Sequence, residues 1–246
     1  TASGLNLSAN IISNISEQHG ININTITDIG VVPGTSEVVN FSLLNNGNLV
    51  EDVVIVTTVQ NNWTVTPERR SANIGVGDYF NETFTVDVPA LGGSDELLDG
   101  SIYAVTIQIL NATTSEVLNI HQLNLIVAPV FMVEVSDWPS EMFYYRGFER
   151  TWDASITNTG NKDVNVSVNY TIFQGGLTTL SSDWEVRPGS SPSRLFLPMG
   201  ETVSFTFAVR GVATQPALTL AANLVVGVSP LDPEVIGNAE FVTTLR

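Results

Sequence analysis

Asn45-Asn46-Gly47-Asn48 stands between two runs of β-branched residues, and the chain repeats this element as Asn158-Thr159-Gly160-Asn161. Further along, Trp63-Thr64-Val65-Thr66-Pro67 is repeated as Trp184-Glu185-Val186-Arg187-Pro188. The two copies of these elements are separated by 113 and 121 residues. A period of this length corresponds to a whole domain and is too long for a solenoid unit. The sequence therefore predicts a tandem of two related domains.

A third element extends the repeat towards the end of each copy. Gly77-Asp78 leads into Phe84-Thr85-Val86, and Gly200-Glu201 leads into Phe207-Ala208-Val209 after a shift of 123 residues. The separation grows along the chain, as expected if the second copy has longer loops between equivalent strands. All three elements keep the same order, which supports duplication of one fold.

Ala128-Pro129 marks the predicted boundary between the copies. It ends the last strand predicted for the first copy, and residues 130–135 begin the second copy with almost no spacer. We therefore expect domains at residues 21–128 and 129–246, after a leader at residues 1–20. A junction without a Gly/Ser-rich or Pro-rich linker predicts a semi-rigid pair.

Most segments alternate apolar and polar residues with a period of two, the pattern of strands that bury one face. Strands are predicted at 38–43, 53–59, 80–88, 102–110 and 118–127 in the first copy, and at 152–157, 164–172, 202–209, 218–226 and 239–245 in the second. The Asn-Gly elements between strands predict hairpins, because Asn and Gly tolerate the positive φ of tight turns. The predicted fold is all-β, with two tandem Ig-like antiparallel β-sandwiches.

Composition limits the partners. The chain has 9 basic and 25 acidic residues, with a net charge of −11 over residues 1–128 and −5 over the remainder. Such a surface repels nucleic acid and anionic membranes, and apolar runs such as 125–133 are too short to cross a bilayer. The absence of cysteine excludes disulfides and thiolate chemistry. Thr1 in place of Met is typical of a mature or excised fragment.

The order Asn-X-Gly-Asn, Trp-X-Val-X-Pro and Gly-Asp/Glu before Phe-X-Val resembles Ig-like modules of prokaryotic surface proteins. It is most similar to the cell-adhesion-related domain of bacteria (CARDB) and to the NPCBM-associated, alpha-galactosidase-type domain. The resemblance covers residues 21–246. It implies seven-stranded sandwiches, a location at the extracellular cell surface and no catalysis, and it offers no catalytic residues to carry over.

Aromatic residues give the first candidate sites. Trp63 and Trp184 occupy equivalent positions, and a repeated Trp on an alternating strand is typical of a core anchor, with a sugar-stacking platform as the alternative. A denser cluster occurs only in the second copy: Trp138, Phe143, Tyr144, Tyr145, Phe148 and Trp152. Of these, Trp138, Tyr144, Tyr145 and Trp152 are candidates for a carbohydrate or protein contact. Packing within the second domain and against the first is the competing interpretation.

Metal and catalytic signals are weak. Asp95, Glu96 and Asp99 lie in one acidic loop, and hard oxygen ligands suit calcium, but no Asp-X-Asp-X-Asp-Gly ladder is present, so solvated loop charge is the competing interpretation. His19 and His121 are the only histidines, and no hydrolase motif accompanies either of them. We expect neither enzymatic activity nor a required cofactor.

Asn-X-Ser/Thr sequons occur at Asn6, Asn14, Asn40, Asn62, Asn81, Asn111, Asn165 and Asn169. Asn81, Asn111 and Asn165 are the candidate glycan acceptors, which must be exposed to be modified. The alternative is a polar, Asn/Thr-rich β surface that produces sequons by chance.

The leader allows three interpretations. Residues 5–12 resemble 218–225, a late strand of the second copy, which indicates the tail of a preceding repeat. Residues 11–20 would also suit a short helix ended by Gly20. The segment is also suited to act as a donated strand that pairs with a sheet edge in the same molecule or a neighbouring one.

These observations favour a non-catalytic structural or adhesion module, as a stalk, surface-layer or filament component of a prokaryotic surface protein. Its partners would be neighbouring repeats, other copies of itself, or surface glycans and proteins. A carbohydrate-binding accessory region of a larger secreted hydrolase is the alternative, and exposure of the aromatic cluster discriminates between the two.

Overall fold

The computed structural model describes residues 16–24, 26–61, 63–93, 96–136, 138–143, 148–174, 184–188, 193–211 and 222–246. These residues contain β-strands and no helix, so the predicted all-β class is confirmed. No helix of the length and hydropathy required to cross a membrane occurs in this part of the chain. Residues 16–20, the described part of the leader, are not helical.

Nine strands lie in the first half of the chain, which we define as residues 16–128. They are β1 (Ile21–Ile23), β2 (Ile29–Val31), β3 (Ser36–Asn45), β4 (Glu51–Val59), β5 (Thr64–Thr66), β6 (Arg69–Ile74), β7 (Tyr79–Asp87), β8 (Ile102–Asn111) and β9 (Val117–Val127). One sheet has the order β1-β3-β7-β5, and the other has the order β2-β9-β8-β4-β6. All neighbours are antiparallel except β2 and β9, which are parallel.

The second half, residues 129–246, repeats this arrangement. Its strands are β10 (Val133–Ser136), β11 (Glu141–Met142), β12 (Glu149–Asn158), β13 (Val164–Gln174), β14 (Trp184–Pro188), β15 (Arg194–Leu197), β16 (Thr202–Gly211), β17 (Ala222–Pro230) and β18 (Ala239–Leu245). The sheet orders β10-β12-β16-β14 and β11-β18-β17-β13-β15 are those of the first half with nine added to every strand number. The parallel pair also recurs, between β11 and β18.

Each half encloses its own cluster of buried apolar side chains. The first cluster contains Leu43 and Phe84 and draws its members from Ile21 to Val127, whereas the second contains Phe207 and begins at Phe131. Alternate residues of a strand point to opposite faces, so the period of two in the sequence becomes one buried face per sheet. Full burial of one such side chain contributes about 1.5–3 kcal/mol.

The predicted hairpins at the Asn-Gly elements are wrong. β3 and β4, which flank residues 45–48, lie in different sheets, as do β12 and β13 around residues 158–161. The element therefore carries the chain across the core from one sheet to the other. A positive φ does not explain the glycine of this element, because among the described residues neither Gly47 nor Gly160 has one.

Candidate functional sites

Asn45 closes the turn between β3 and β4 from the inside of the first half. Its side chain is fully buried. Nδ2 donates to the carbonyl oxygens of Leu49 at 2.7 Å and Ile74 at 2.9 Å, and Oδ1 accepts from the Gly47 amide at 2.9 Å. Because a buried amide without partners is destabilising, the side chain holds the turn to the end of β6.

Asn158 makes the same three hydrogen bonds in the second half. Nδ2 donates to the carbonyl oxygens of Lys162 at 2.9 Å and Leu197 at 3.0 Å, and Oδ1 accepts from the Gly160 amide at 2.9 Å. Its side chain is also fully buried. The first Asn of the repeated element is therefore a structural hub, and its partners lie at equivalent positions in both halves.

The third repeated element meets this hub. The Asn45 amide donates to the Asp78 carbonyl at 3.1 Å, and the Gly77 amide donates to the Asn45 carbonyl at 2.9 Å. Asn158 forms the corresponding pair with Glu201 and Gly200 at 3.1 and 2.9 Å. Here the glycines do need their freedom, since φ is +76° at Gly77 and +74° at Gly200.

The last Asn of the element binds the chain that enters each half. Asn161 Oδ1 accepts from the Val130 amide at 2.7 Å, and its Nδ2 donates to the Ala128 carbonyl at 3.0 Å. These contacts fix the connector between the halves. They also explain why the sequence resumes strand structure with almost no spacer after Pro129.

Asn48 makes the same two contacts with the start of the first half. Its Oδ1 accepts from the Gln18 amide at 2.8 Å, and its Nδ2 donates to the Ser16 carbonyl at 2.9 Å. Residues 16–18 therefore occupy the place in the first half that residues 128–130 occupy in the second. We call Asn48 and Asn161 the connector clamps.

The glycine before each clamp is required by proximity. A Cβ on Gly160 would lie 2.3 Å from the Val130 carbonyl oxygen, and a Cβ on Gly47 would lie 2.5 Å from the Gln18 carbonyl oxygen. Only glycine leaves room for the connector at this distance. The sequence identified the element, but its role in holding the connector depends on residues about 30 positions upstream of each clamp.

The two halves also meet through the acidic loop that precedes β8. Lys162 Nζ lies 3.0 Å from Asp99 Oδ2 and 3.7 Å from Asp232 Oδ2. The Asp99 amide donates to the Asn161 carbonyl at 3.1 Å. The hydrogen bond to Asp99 raises the pKa of Lys162, the only lysine of the chain.

The calcium candidates are therefore divided between different environments. Asp95 lies outside the described residues, Glu96 is exposed, and Asp99 is paired with Lys162. Within the part of the chain that the structure describes, no group of three or more His, Asp or Glu side chains is placed to hold a metal. A calcium site in this loop stays a prediction.

Trp63 and Trp184 are buried at matching positions, with 5% and 6% of their surface exposed. The predicted core role of both residues is confirmed. The Trp63 ring stacks on Tyr103, with ring centroids 4.4 Å apart. Trp184 belongs to the buried cluster of the second half.

The described tryptophans of the aromatic cluster pack inward. Trp138 is partly buried, its ring centroid lies 5.7 Å from that of Phe207 and 5.9 Å from that of Phe241, and its Nε1 donates to the Val242 carbonyl at 3.2 Å. Trp152 is partly buried against the same core. These two side chains do not present the flat exposed row that the carbohydrate interpretation requires.

The remaining members of the aromatic cluster differ. Tyr144 and Tyr145 lie outside the described residues. Phe143 and Phe148, which flank them, are exposed over 60% and 71% of their surface. The guanidinium of Arg150 covers the Trp152 ring at 4.4 Å from the centroid.

The sequon positions are mostly accessible. Asn81 and Asn165 are exposed, and Asn111 is half-buried. The Asn111 Oδ1 accepts from the amides of Thr113 and Thr114 at 2.9 and 3.0 Å, which orients the side chain. Asn40 and Asn169 are also exposed, whereas Asn6, Asn14 and Asn62 lie outside the described residues.

The histidines occupy different environments. His19 Nδ1 lies 2.8 Å from Oε1 of Glu51, whose side chain is almost completely buried. The His121 Nε2 is buried without a hydrogen-bond partner among the described residues. His19, which lies next to the segment bound by Asn48, therefore pairs with the buried carboxylate of Glu51.

Comparison with known proteins gives only distant structural likeness. No protein-family model and no curated protein matches the chain. The periplasmic chaperone SfaE matches over 92% of this chain and 98% of its own, with 13% identity and a TM-score of 0.34. The YadV chaperone matches over 90% and 99%, with 13% identity and a TM-score of 0.33. Alpha-2-macroglobulin from E. coli matches over 92% of this chain but only 17% of its own length, with 12% identity and a TM-score of 0.33.

Proposed function

We propose that the chain is a non-catalytic spacer from a tandem array of β-sandwich domains on a prokaryotic cell surface, as part of a stalk, surface layer or filament. Its two halves would be separate domains within that array. The observation that carries this proposal is the equivalence of the connector clamps, Asn48 and Asn161.

The clamp of the second half holds a segment that arrives from another sandwich. Asn161 binds residues 128–130 immediately after β9, the last strand of the first half. Asn48 binds residues 16–18 with the same atoms and similar distances. A clamp of this kind is useful where the incoming chain must leave a neighbouring domain at a fixed angle. The first half is therefore equipped to follow a domain as the second half does.

The junction has the contacts of a stiff connection. The two clamp hydrogen bonds are joined by the Asp99–Asn161 backbone bond and the Asp99–Lys162 ion pair. Each neutral hydrogen bond contributes about 0.5–1.5 kcal/mol, and together they oppose bending at the connector. A stiff succession of domains provides reach, which is the purpose of a stalk.

The surface location is supported by composition and by the resemblance to CARDB-type modules. The acidic surface disfavours nucleic acid and anionic membrane. Asn111 on β8 and Asn165 on β13 offer positions for glycans, one in each half. The proposed role needs neither cofactor nor catalytic residue.

The stiffness of the junction can be tested by spin labelling, because the chain has no cysteine and an introduced one is labelled selectively. Ser71→Cys and Glu240→Cys place one exposed label site in each half, and pulsed electron resonance between spin labels reports the distribution of their separation. We expect one narrow distribution, which Asn161→Ala or Asp99→Ala broadens. Asn48→Ala makes the same change at the other clamp and should leave the distribution narrow. Equal distributions in all four proteins would contradict a stiff, clamp-dependent junction.

The location needs a separate experiment. Antibodies raised against residues 16–246 should label intact cells of the source organism, and brief protease treatment of those cells should remove the signal. Labelling only after lysis would contradict the surface role and leave the junction result standing.

A further inference from the structure

The two halves have equivalent end surfaces beside the connector clamps, and that of the second half is covered by the first half. This covered surface consists of residues 159–161 and Met199, which line one cavity together with residues 91–93 and 96–98 of the first half. The Asp99 amide also donates to the Asn161 carbonyl at 3.1 Å. Asn161 is only 4% exposed.

The corresponding surface of the first half is open. Residues 46–48 correspond to 159–161, and Val76, which precedes Gly77, corresponds to Met199. Asn48 is exposed, although it makes the same clamp contacts as Asn161. Val50 and Val76 are exposed over 60% and 53% of their surface. We call residues 46–50 and Val76 the head surface, and no domain covers it within the described part of the chain.

The head surface differs in chemistry from its counterpart. Lys162, which pairs with Asp99 across the junction, is replaced by Leu49, and Asp163 is replaced by Val50. The head surface contains no charged residue, and its exposed apolar side chains gain free energy when they leave water. An acid such as Asp99 would lose its cation there and be desolvated without compensation. The occupant of the head surface should therefore present an uncharged segment.

The second half has such a segment in its sequence. The first half contacts the second through the residues between β7 and β8, which include three acids, the last of them Asp99. The counterpart between β16 and β17 is residues 212–221, which contain no charged residue. Asn111 of β8 and Pro230 of β17 pair with equivalent residues of β4 and β13, and they are 119 residues apart. The same shift takes Asp99 to Leu218 in the sequence.

We propose that the head surface binds the second half of another copy of this chain, through residues 212–221. The pair equivalent to Lys162 and Asp99 is then Leu49 and Leu218. The crossed combinations would leave a lysine or an aspartate against a leucine, so the surfaces select the second half of one copy for the first half of the next. This proposal rests on the proposed role in an array and names the neighbour as a second copy.

The contact joins different surfaces of the two copies. Such a heterologous contact continues from copy to copy and produces an open chain rather than a closed dimer. The net charge of −16 on each copy opposes it at low ionic strength. Added salt screens this repulsion and does not weaken an apolar contact, so self-association should strengthen with salt. A contact held by ion pairs would respond in the opposite direction.

The test follows self-association of the whole chain by sedimentation velocity as the protein and salt concentrations rise. We expect a series of oligomers rather than one dimer, and larger oligomers at higher salt. Val76→Asp places a charge in the head surface and should weaken self-association at least about tenfold. The matched control is Val38→Asp, which adds the same charge at a residue 60% exposed near the other end of β3. It should assemble like the wild type.

Two further variants identify the surfaces in contact. Leu49→Lys and Leu218→Asp should each assemble poorly alone, because each places an unpaired charge against a leucine. A mixture of the two should recover assembly with the variants alternating, because the new lysine then faces the new aspartate as Lys162 faces Asp99.

Three results would overturn the proposal. They are a wild-type chain that stays monomeric at every concentration, equal assembly of Val76→Asp and Val38→Asp, and a mixture of the two leucine variants that stays monomeric although both are folded by circular dichroism. If Leu218→Asp does not fold, the comparison of Val76→Asp with Val38→Asp decides. None of these results affects the stiffness of the internal junction, because that stiffness is measured within one chain.

Discussion

Asn45 and Asn158 occupy equivalent positions: each is buried at the end of the third strand of its half and binds two carbonyl oxygens and one glycine amide. The two sets of distances agree within 0.2 Å. A backbone–side-chain arrangement of this kind ties one sheet to the other at the point where the chain crosses between them. It is the reason that an amide side chain recurs in both copies of the repeated element.

Replacing the amide by a carboxylate should weaken one half selectively. In Asn158→Asp the carbonyl oxygens of Lys162 and Leu197 lose their donor and face a negative oxygen instead. We expect a loss of about 2–4 kcal/mol in the free energy of unfolding. Urea unfolding gives the loss, and hydrogen exchange should place it in β10 to β18. Asn45→Asp is the matched variant and should affect β1 to β9; uniform loss of protection over both halves would contradict independent hubs.

A methyl group added before the clamp should displace the connector. Gly160→Ala places Cβ 2.3 Å from the Val130 carbonyl oxygen, so the connector must move and clamp hydrogen bonds are lost. We expect a cost of about 1–3 kcal/mol in the free energy of unfolding. Gly227→Ala is the control, since nothing lies within 4 Å of its added Cβ. A Gly160→Ala protein as stable as this control would show that the connector is not held where the structure places it.

Much of this fold is predictable because apolar and polar residues alternate along the strands, and the apolar ones are the buried ones. Residues 38–43 predicted a strand, and β3 extends over Ser36–Asn45 with alternate residues buried. The repeated elements predicted a duplicated topology because they sit at equivalent turns of both halves. The hairpins were wrong because Asn and Gly indicate a turn but not which sheet receives the next strand. In the structure the crossing is tied to β6 by the hydrogen bond from Asn45 to Ile74, which is 29 residues away in the sequence.

Glu82 of β7 is 6% exposed, and its burial is predictable from the alternation of apolar and polar residues. Glu82 lies midway between Phe80 and Phe84, so a period of two places it on the buried face. The equivalent series in the second half is Val203, Phe205 and Phe207, all apolar. The partner, Arg70, comes from the other sheet, and only the packing of two sheets brings it within 3.0 Å.

Removing Trp184 should create a cavity in the second half. The side chain is 6% exposed and belongs to the buried cluster around Phe207. Trp184→Ala should lower the free energy of unfolding by about 3–5 kcal/mol. Trp63→Ala makes the same change in the first half, so hydrogen exchange should report the two losses in different strands. An unchanged urea midpoint for Trp184→Ala would mean that the aligned tryptophans are not equivalent core residues.

The acid sensitivity of the first half should depend on Asp87 at the end of β7. Hydrogen bonds from the hydroxyls of Ser36, at 2.6 Å, and Thr64, at 3.0 Å, lower the pKa of Asp87 from its ordinary value of 3.8. A lowered pKa in the folded state stabilises the protein above the unfolded value, and this contribution disappears as the pH falls through the folded value. Ser36→Ala removes the larger cause, so the pKa of Asp87 should rise towards 3.8 in an NMR titration of its carboxyl carbon. The difference in unfolding free energy between wild type and Ser36→Ala should be constant well above pH 3.8. It should shrink as the pH falls through the lowered pKa of Asp87. Ser155→Ala, on the equivalent strand of the second half, is the control and should leave the titration of Asp87 unchanged. A difference that grows as the pH falls would reverse the sign expected for a stabilised carboxylate.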